Sequence, residues 1–174
     1  MEKYYALRDQ IKTGDAILWN GAGLISSAIR RWSKFSHVSL VVRMPDYDRL
    51  KERVFMVEAL NHGLEFTLLS NQLEGYSGQA HWMSVGMTTE QQSLSRAHAL
   101  LECASTTGYD YKSLFRNVLG RVSMDARHYF CSEFVWFNYI YAGRVEATKK
   151  APRPGDLVDW VSDPLACEPV QIYP

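Results

Sequence analysis

Residues 130–142 read FCSEFVWFNYIYA, and Gly143 follows them. Apolar side chains fall on nearly every face of a helix drawn through this stretch, and a helix that is apolar all round is usually a buried one. The stretch therefore predicts a central, buried helix that ends at the glycine. The predicted first turn of this helix contains a cysteine, Cys131.

The chain before this helix carries the pattern of a sheet. Short apolar or alternating runs, separated by turns rich in Gly, Pro, Asn and Asp, predict strands at 16–19, 36–43, 53–59, 64–69 and 79–85. A further strand is predicted near 170–173. In the run at 36–43, Val38 and Leu40 face one way while His37 and Ser39 face the other. We expect a mostly antiparallel sheet of four to six strands.

Helical segments are predicted over 2–11, 24–32, 90–106 and 111–119. Helices, a sheet and a buried helix packed against that sheet define an α+β fold. No linker divides the chain, and 174 residues suit one domain, so residues 1–174 are expected to form a single domain.

Composition narrows the possible partners. The chain has 19 basic and 19 acidic side chains, and proteins that neutralise many phosphates are usually basic, so nucleic acid is not expected as a partner. No apolar run approaches about 18 residues, so no membrane span is expected. The charged start, MEKYYALRDQ, lacks the apolar segment of a secretory signal. A cytoplasmic location is the default expectation, with export by another route left open.

Cysteine and histidine spacing gives no sign of a metal. Cys103, Cys131 and Cys167 are widely spaced and include no CxxC pair. The sequence also has no HExxH and no glycine-rich phosphate-binding motif. We therefore predict no metal site and no cofactor.

Cys131 is the candidate nucleophile. The first turn of a helix offers unpaired N–H groups and the positive end of the helix dipole, which stabilise a thiolate and could bind an oxyanion. The alternative is an ordinary buried cysteine on an apolar helix.

A thiol nucleophile needs a base and a group that orients the base. His37 is the candidate base because it starts a strand and points away from the apolar face. If strands 36–43 and 53–59 form a hairpin with facing residue numbers that add to 95, His37 faces Glu58. A carboxylate there would fix the imidazole tautomer. The alternative for Glu58 is a solvent-facing residue of an edge strand.

Three aromatic residues are candidates to line a substrate cleft: Trp19, Trp32 and Tyr111. Their alternative is ordinary core packing. The remaining histidines, His62, His81, His98 and His128, are expected to be structural or solvated.

The order of these motifs resembles the permuted branch of the NlpC superfamily, which includes YiiX-like proteins. The matching stretches are 14–18 (GDAIL), 36–42 (SHVSLVV), 57–59 (VEA), 108–111 (GYDY), 130–135 (FCSEFV) and 154–157 (PGDL). The resemblance implies a circularly permuted papain-like fold. It also implies Cys131 as nucleophile, His37 as base and Glu58 as the third member of a triad.

Relatives of this kind include cell-wall peptidases, amidases and acyl-transferring enzymes related to lecithin:retinol acyltransferase. The resemblance thus implies a cysteine hydrolase that cleaves an amide of the peptidoglycan-peptide type, or an acyl ester or thioester. Its partner would be a small peptide or acyl substrate. The alternatives are an acyltransferase, a non-catalytic lipid- or peptide-binding module of the same fold, or a structural component of a larger assembly.

Overall fold

The computed structural model describes residues 1–21, 33–46, 49–60, 63–105, 126–147, 152–161 and 168–174. The predicted helices at 24–32 and 111–119 lie outside the described residues. So do two of the predicted cleft residues, Trp32 and Tyr111.

The described strands form one six-stranded sheet in the order β4-β3-β2-β1-β5-β6. Every neighbouring pair is antiparallel. The prediction of a mainly antiparallel sheet of four to six strands is confirmed. The strands are β1 (Ala16–Asn20), β2 (His37–Arg43), β3 (Val54–Leu60), β4 (Gly63–Leu68), β5 (Gln79–Met83) and β6 (Val170–Tyr173).

Helices lie on both sides of this sheet. The described helices are α1 (Glu2–Leu7), α2 (Leu69–Glu74), α3 (Thr89–Ser105), α4 (Ala126–Tyr141) and α5 (Asp156–Val161), with a 3-10 turn at Leu50–Glu52. The sequence did not predict α2 or α5. Each spans six residues, fewer than two full turns, which is too short to display a helical period. None of these helices is both long and apolar enough to cross a membrane.

Two apolar cores enclose the sheet. The side chains of Val38 and Leu40 pack with α4 in the first core. The second core lies on the opposite face, where Trp19, Val41 and Met56 pack together. The alternation predicted for β2 is therefore present, but both of its faces are covered. This explains why four of the five residues of β1 are buried.

The helix that carries Cys131 begins earlier than predicted. Helix α4 starts at Ala126, so Cys131 is its sixth residue and lies in the second turn. Only the first four N–H groups of a helix lack a partner within it, and the dipole effect fades within the first turn. The prediction that Cys131 lies in the first turn of this helix, where the dipole would stabilise its thiolate, is therefore wrong. Helix α4 packs on β2 and β3, as expected for a central helix.

The register of β2 with β3 also differs from the prediction. Facing residue numbers, such as those of Leu40 and Val57, add to 97 rather than 95. The centre of the hairpin therefore lies one residue later than predicted. The connecting segment contains the 3-10 turn and Arg49 in a left-handed conformation, with φ of 64°. Because side chains alternate with a period of two, a shift of two leaves His37 and Glu58 on the same face.

Candidate functional site

The site lies where β2 begins and β3 ends, at one end of the sheet. His37 is the first residue of β2, and Glu58 lies two residues before the end of β3. The antiparallel pairing brings them together, and His37 Nε2 donates to Glu58 Oε2 over 2.7 Å. The register makes them diagonal neighbours rather than the directly facing pair that was predicted.

Glu58 is the buried member of this pair. The residue is 3% exposed, and its carboxylate also accepts a hydrogen bond from Ser39 Oγ over 3.2 Å. The register of β2 with β3, continued by one pair, brings Ser39 directly opposite Glu58. The hydroxyl of Ser39 in turn accepts a hydrogen bond from Trp19 Nε1 over 2.8 Å.

Cys131 reaches the site from the other side of the sheet. Its thiol is hydrogen-bonded to the imidazole of His37, and the backbone N–H groups of Val38 and Ser132 donate to Sγ. Cys131 is 5% exposed, whereas the side chain of His37 is 26% exposed. The imidazole is therefore the part of this group that solvent reaches most easily.

The pKa values follow from these contacts. Burial alone would raise the pKa of the Cys131 thiol, but the charge and hydrogen bond of His37, together with the two backbone N–H donors, lower it. Burial alone would lower the pKa of His37, but the Cys131 thiolate and then Glu58 raise it to about 10. Both shifts favour the same state, in which the proton lies on the imidazole and the sulfur is a thiolate.

Such an arrangement can carry out nucleophilic chemistry at neutral pH. A thiolate is the reactive form of cysteine. Because His37 uses Nε2 to donate to Glu58, its Nδ1 is the ring nitrogen left for the thiol. The group thus brings a thiol, an imidazole and a carboxylate together, the three side-chain types that covalent thiol chemistry uses.

Of the three aromatic candidates for a cleft, Trp19 lies among the described residues. Trp19, predicted to line a cleft, is 2% exposed and lies in the second core with its indole N–H directed at Ser39. Trp32 and Tyr111 lie outside the described residues. Sequence reasoning did not single out Ser39. Its only signal was a polar side chain two residues from His37 on the same face of the strand.

A second motif contacts the segment that leads into β2. The backbone N–H of Gly155 donates to Ser33 Oγ over 3.0 Å, and Ser33 Oγ donates to the carbonyl of Phe35 over 2.7 Å. A Cβ atom at Gly155 would lie 2.7 Å from Ser33 Oγ and 2.9 Å from the backbone nitrogen of Lys34. The close approach needs a residue without a side chain, and it fixes the chain just before His37.

Six antiparallel strands with α4 against one face make this a YiiX-like α+β fold. Among solved structures, the chain is similar to the metalloprotein YiiX from Escherichia coli O157:H7, a DUF1105 protein, with 23% identity and a TM-score of 0.56. The match covers 90% of this chain and 78% of that one. At this identity the likeness shows the fold alone. No protein-family model and no curated protein matches the chain.

YiiX is named a metalloprotein. Among the described residues of this chain, no group of three or more His, Cys, Asp or Glu side chains lies where it could hold a metal ion.

Proposed function

We propose that this protein is a cysteine hydrolase in which Cys131 is the nucleophile, His37 the proton carrier and Glu58 the residue that orients His37. One observation carries the proposal: the imidazole of His37 is hydrogen-bonded both to the Cys131 thiol and, over 2.7 Å, to Glu58. The chain order of the His strand, the Glu strand and the Cys helix supports a circularly permuted papain-like fold of the NlpC type.

The proposed reaction starts from the thiolate–imidazolium pair. The thiolate attacks the carbonyl carbon of an amide, ester or thioester, a C–S bond forms, and the carbonyl electron pair moves to oxygen. The tetrahedral intermediate collapses, and the leaving group departs with the proton from His37. His37 then takes a proton from water, the hydroxide attacks the acyl-enzyme, and cleavage of the C–S bond regenerates the pair.

A second cysteine provides a contrast within the same chain. Cys103 lies on α3, where burial and the nearby Glu102 raise its pKa to about 11. At neutral pH this sulfur is a thiol and a poor nucleophile. We therefore expect Cys131 to be far more reactive than Cys103, although both are largely shielded from solvent.

The proposed substrate is a small peptide or acyl compound. Amides of the peptidoglycan-peptide type and acyl esters or thioesters all present the carbonyl that the thiolate requires. If an acceptor other than water takes the acyl group, the same residues act as an acyltransferase. In each case the acyl group passes through a thioester on Cys131.

Alkylation and acylation test the proposal together. Limiting iodoacetamide at pH 7 should label Cys131 much faster than Cys103 or Cys167, as read by peptide mass spectrometry. Activated amides, esters and thioesters should then give an acyl adduct on Cys131 and turnover that Cys131→Ala abolishes. Cys103→Ala is the matched control and should retain turnover.

Two outcomes oppose the proposal. Equally slow labelling of all three cysteines would show that the thiol of Cys131 is not activated. Fast labelling of Cys131, with no acyl adduct and no turnover on any substrate, would favour a binding module that retains the site without its chemistry.

A further inference from the structure

We propose that Ser39 positions His37 through Glu58, and that Trp19 holds the Ser39 hydroxyl in the orientation this requires. The inference rests on the proposed function, because it assigns positioning residues to the same site. Its basis is an unbroken set of hydrogen bonds that runs from the indole of Trp19 through Ser39 and Glu58 to His37.

The direction of each hydrogen bond follows from the chemistry of the groups. An indole N–H can only donate, and a serine hydroxyl has one hydrogen and two lone pairs. Because Ser39 Oγ accepts from Trp19 Nε1 over 2.8 Å, its own hydrogen is free to point at Glu58 Oε2, 3.2 Å away. The indole thus selects the hydroxyl orientation in which Ser39 is a donor to the carboxylate.

The same carboxylate oxygen serves His37. Glu58 Oε2 accepts from Ser39 Oγ and from His37 Nε2, the latter over 2.7 Å. Two donors on one oxygen restrict the rotation of the carboxylate and keep that oxygen in the plane where His37 needs it. The tautomer and the direction of Nδ1 towards Cys131 then depend on a carboxylate that Ser39 holds in place.

The sheet register makes this geometry rigid. Trp19 lies directly opposite His37 across β1 and β2, and the register of β2 with β3, continued by one pair beyond Leu40 and Val57, brings Ser39 opposite Glu58. The exposed fractions are 2% for Trp19, 0% for Ser39 and 3% for Glu58. With water excluded, no solvent molecule competes for these donors and acceptors, so each bond depends on its partner in the protein.

A purely structural role for Ser39 is the competing explanation. In that case the hydroxyl satisfies a buried indole N–H, and its loss changes stability but leaves the thiolate as it was. A positioning role predicts an effect on the ionisation of Cys131 and on the His37–Glu58 hydrogen bond. Measurements on the sulfur and on the imidazole proton therefore separate the two roles without any substrate.

The test compares Ser39→Ala and Trp19→Phe with Ser95→Ala. Ser95 is also 0% exposed, and its hydroxyl donates to Asn138 between α3 and α4. Ser95→Ala therefore removes a buried, hydrogen-bonded hydroxyl, as Ser39→Ala does, but away from the candidate site. Thiolate absorbance at 240 nm is followed against pH, and the curve of the matching protein that also carries Cys131→Ala is subtracted, so that the difference gives the pKa of Cys131. The proton resonance of the His37 ring reports the hydrogen bond to Glu58.

We expect Ser39→Ala to raise the pKa of Cys131 by about one unit, which is about a tenfold loss of thiolate at pH values below the pKa. Trp19→Phe should give a smaller shift in the same direction, because the hydroxyl remains but can rotate. In both variants the downfield His37 Nε2 proton should move upfield. Ser95→Ala should lower stability without either spectroscopic change.

Failure of this inference differs from failure of the proposed function. If the wild-type thiol titrates near its ordinary pKa, the ion pair itself is absent and the proposed function fails. If the wild-type thiol is acidic, but Ser39→Ala and Trp19→Phe titrate like the wild type and keep the His37 resonance, the positioning role is refuted. Should Ser39→Ala fold too poorly, Trp19→Phe alone decides the outcome.

Discussion

Replacing Glu58 by glutamine tests whether a carboxylate charge supports the ion pair. Glutamine has nearly the same shape as glutamate, and its side-chain oxygen can still accept hydrogen bonds from His37 and Ser39. The substitution therefore removes the negative charge while keeping the local geometry. It lowers the pKa of His37, which weakens the imidazolium, and this in turn raises the pKa of Cys131.

The structure sets the size of the effect. Glu58 is almost fully buried and lies 2.7 Å from His37 Nε2, so solvent screens the contact little. A hydrogen bond to a charged group contributes about 1.5–3 kcal/mol, and a neutral one about 0.5–1.5 kcal/mol. The difference is about 1–1.5 kcal/mol, which corresponds to about one pKa unit. Iodoacetamide should then alkylate Glu58→Gln about tenfold more slowly than the wild type near pH 6.

The control is Glu65→Gln. Glu65 lies directly opposite Glu58 on β4, so this variant removes the same charge one strand further from His37. We expect a much smaller change in the alkylation profile. If the two variants shift the profile equally, net charge at this end of the sheet matters and the hydrogen bond does not. If neither shifts it, the reasoning about the carboxylate fails.

Two further substitutions test how the fold supports the site. Gly155→Ala places a Cβ against Ser33 and the backbone of Lys34, so we expect a loss of about 1–3 kcal/mol and slower alkylation of Cys131. Gly75→Ala is the control, because a Cβ atom there meets no other atom within 4 Å. Urea unfolding should show a change in stability of less than about 0.5 kcal/mol for this control. Equal losses in the two variants would refute the proposed contact of Gly155 with Ser33 and Lys34. Asp15→Asn tests a buried carboxyl whose pKa burial raises to about 6, despite its N–H donors. Because the folded state holds this proton more tightly than the unfolded chain, wild-type stability should fall by about 3 kcal/mol as the pH rises from about 4 to 6. Asp15→Asn should lose that slope, and an unchanged slope would contradict the assignment.

The sequence was informative wherever a pattern was local. Alternation in 36–43 predicted both the strand and the common face of His37 and Ser39, because side-chain direction in a strand depends only on position along it. The register was not accessible in the same way. It depends on the conformation of the connection, including the left-handed Arg49, which no pattern of apolar residues encodes.

The start of α4 was missed for a related reason. Residues 126–129 read ARHY, without the continuous apolar character of the stretch that follows, so the prediction began the helix at residue 130. It passed over Asp125, which directly precedes Ala126 in the sequence and is of a residue type preferred at helix starts. Ser39 was missed because its importance comes from Glu58 and Trp19. They lie on two other strands, one on each side of it.

The misplaced start of α4 changes the explanation for the lowered pKa of Cys131. It does not change which residues form the candidate site. Had Cys131 occupied the first turn, the helix dipole and unpaired N–H groups would have stabilised the thiolate even without His37. In the second turn that contribution has faded, and burial of the sulfur acts against ionisation. The lowered pKa must then come mainly from His37, with help from the N–H groups of Val38 and Ser132. The lowered pKa of Cys131 thus depends mainly on His37 at the start of β2, so the hydrogen bonds that hold the imidazole matter more for this pKa than the start of α4 does.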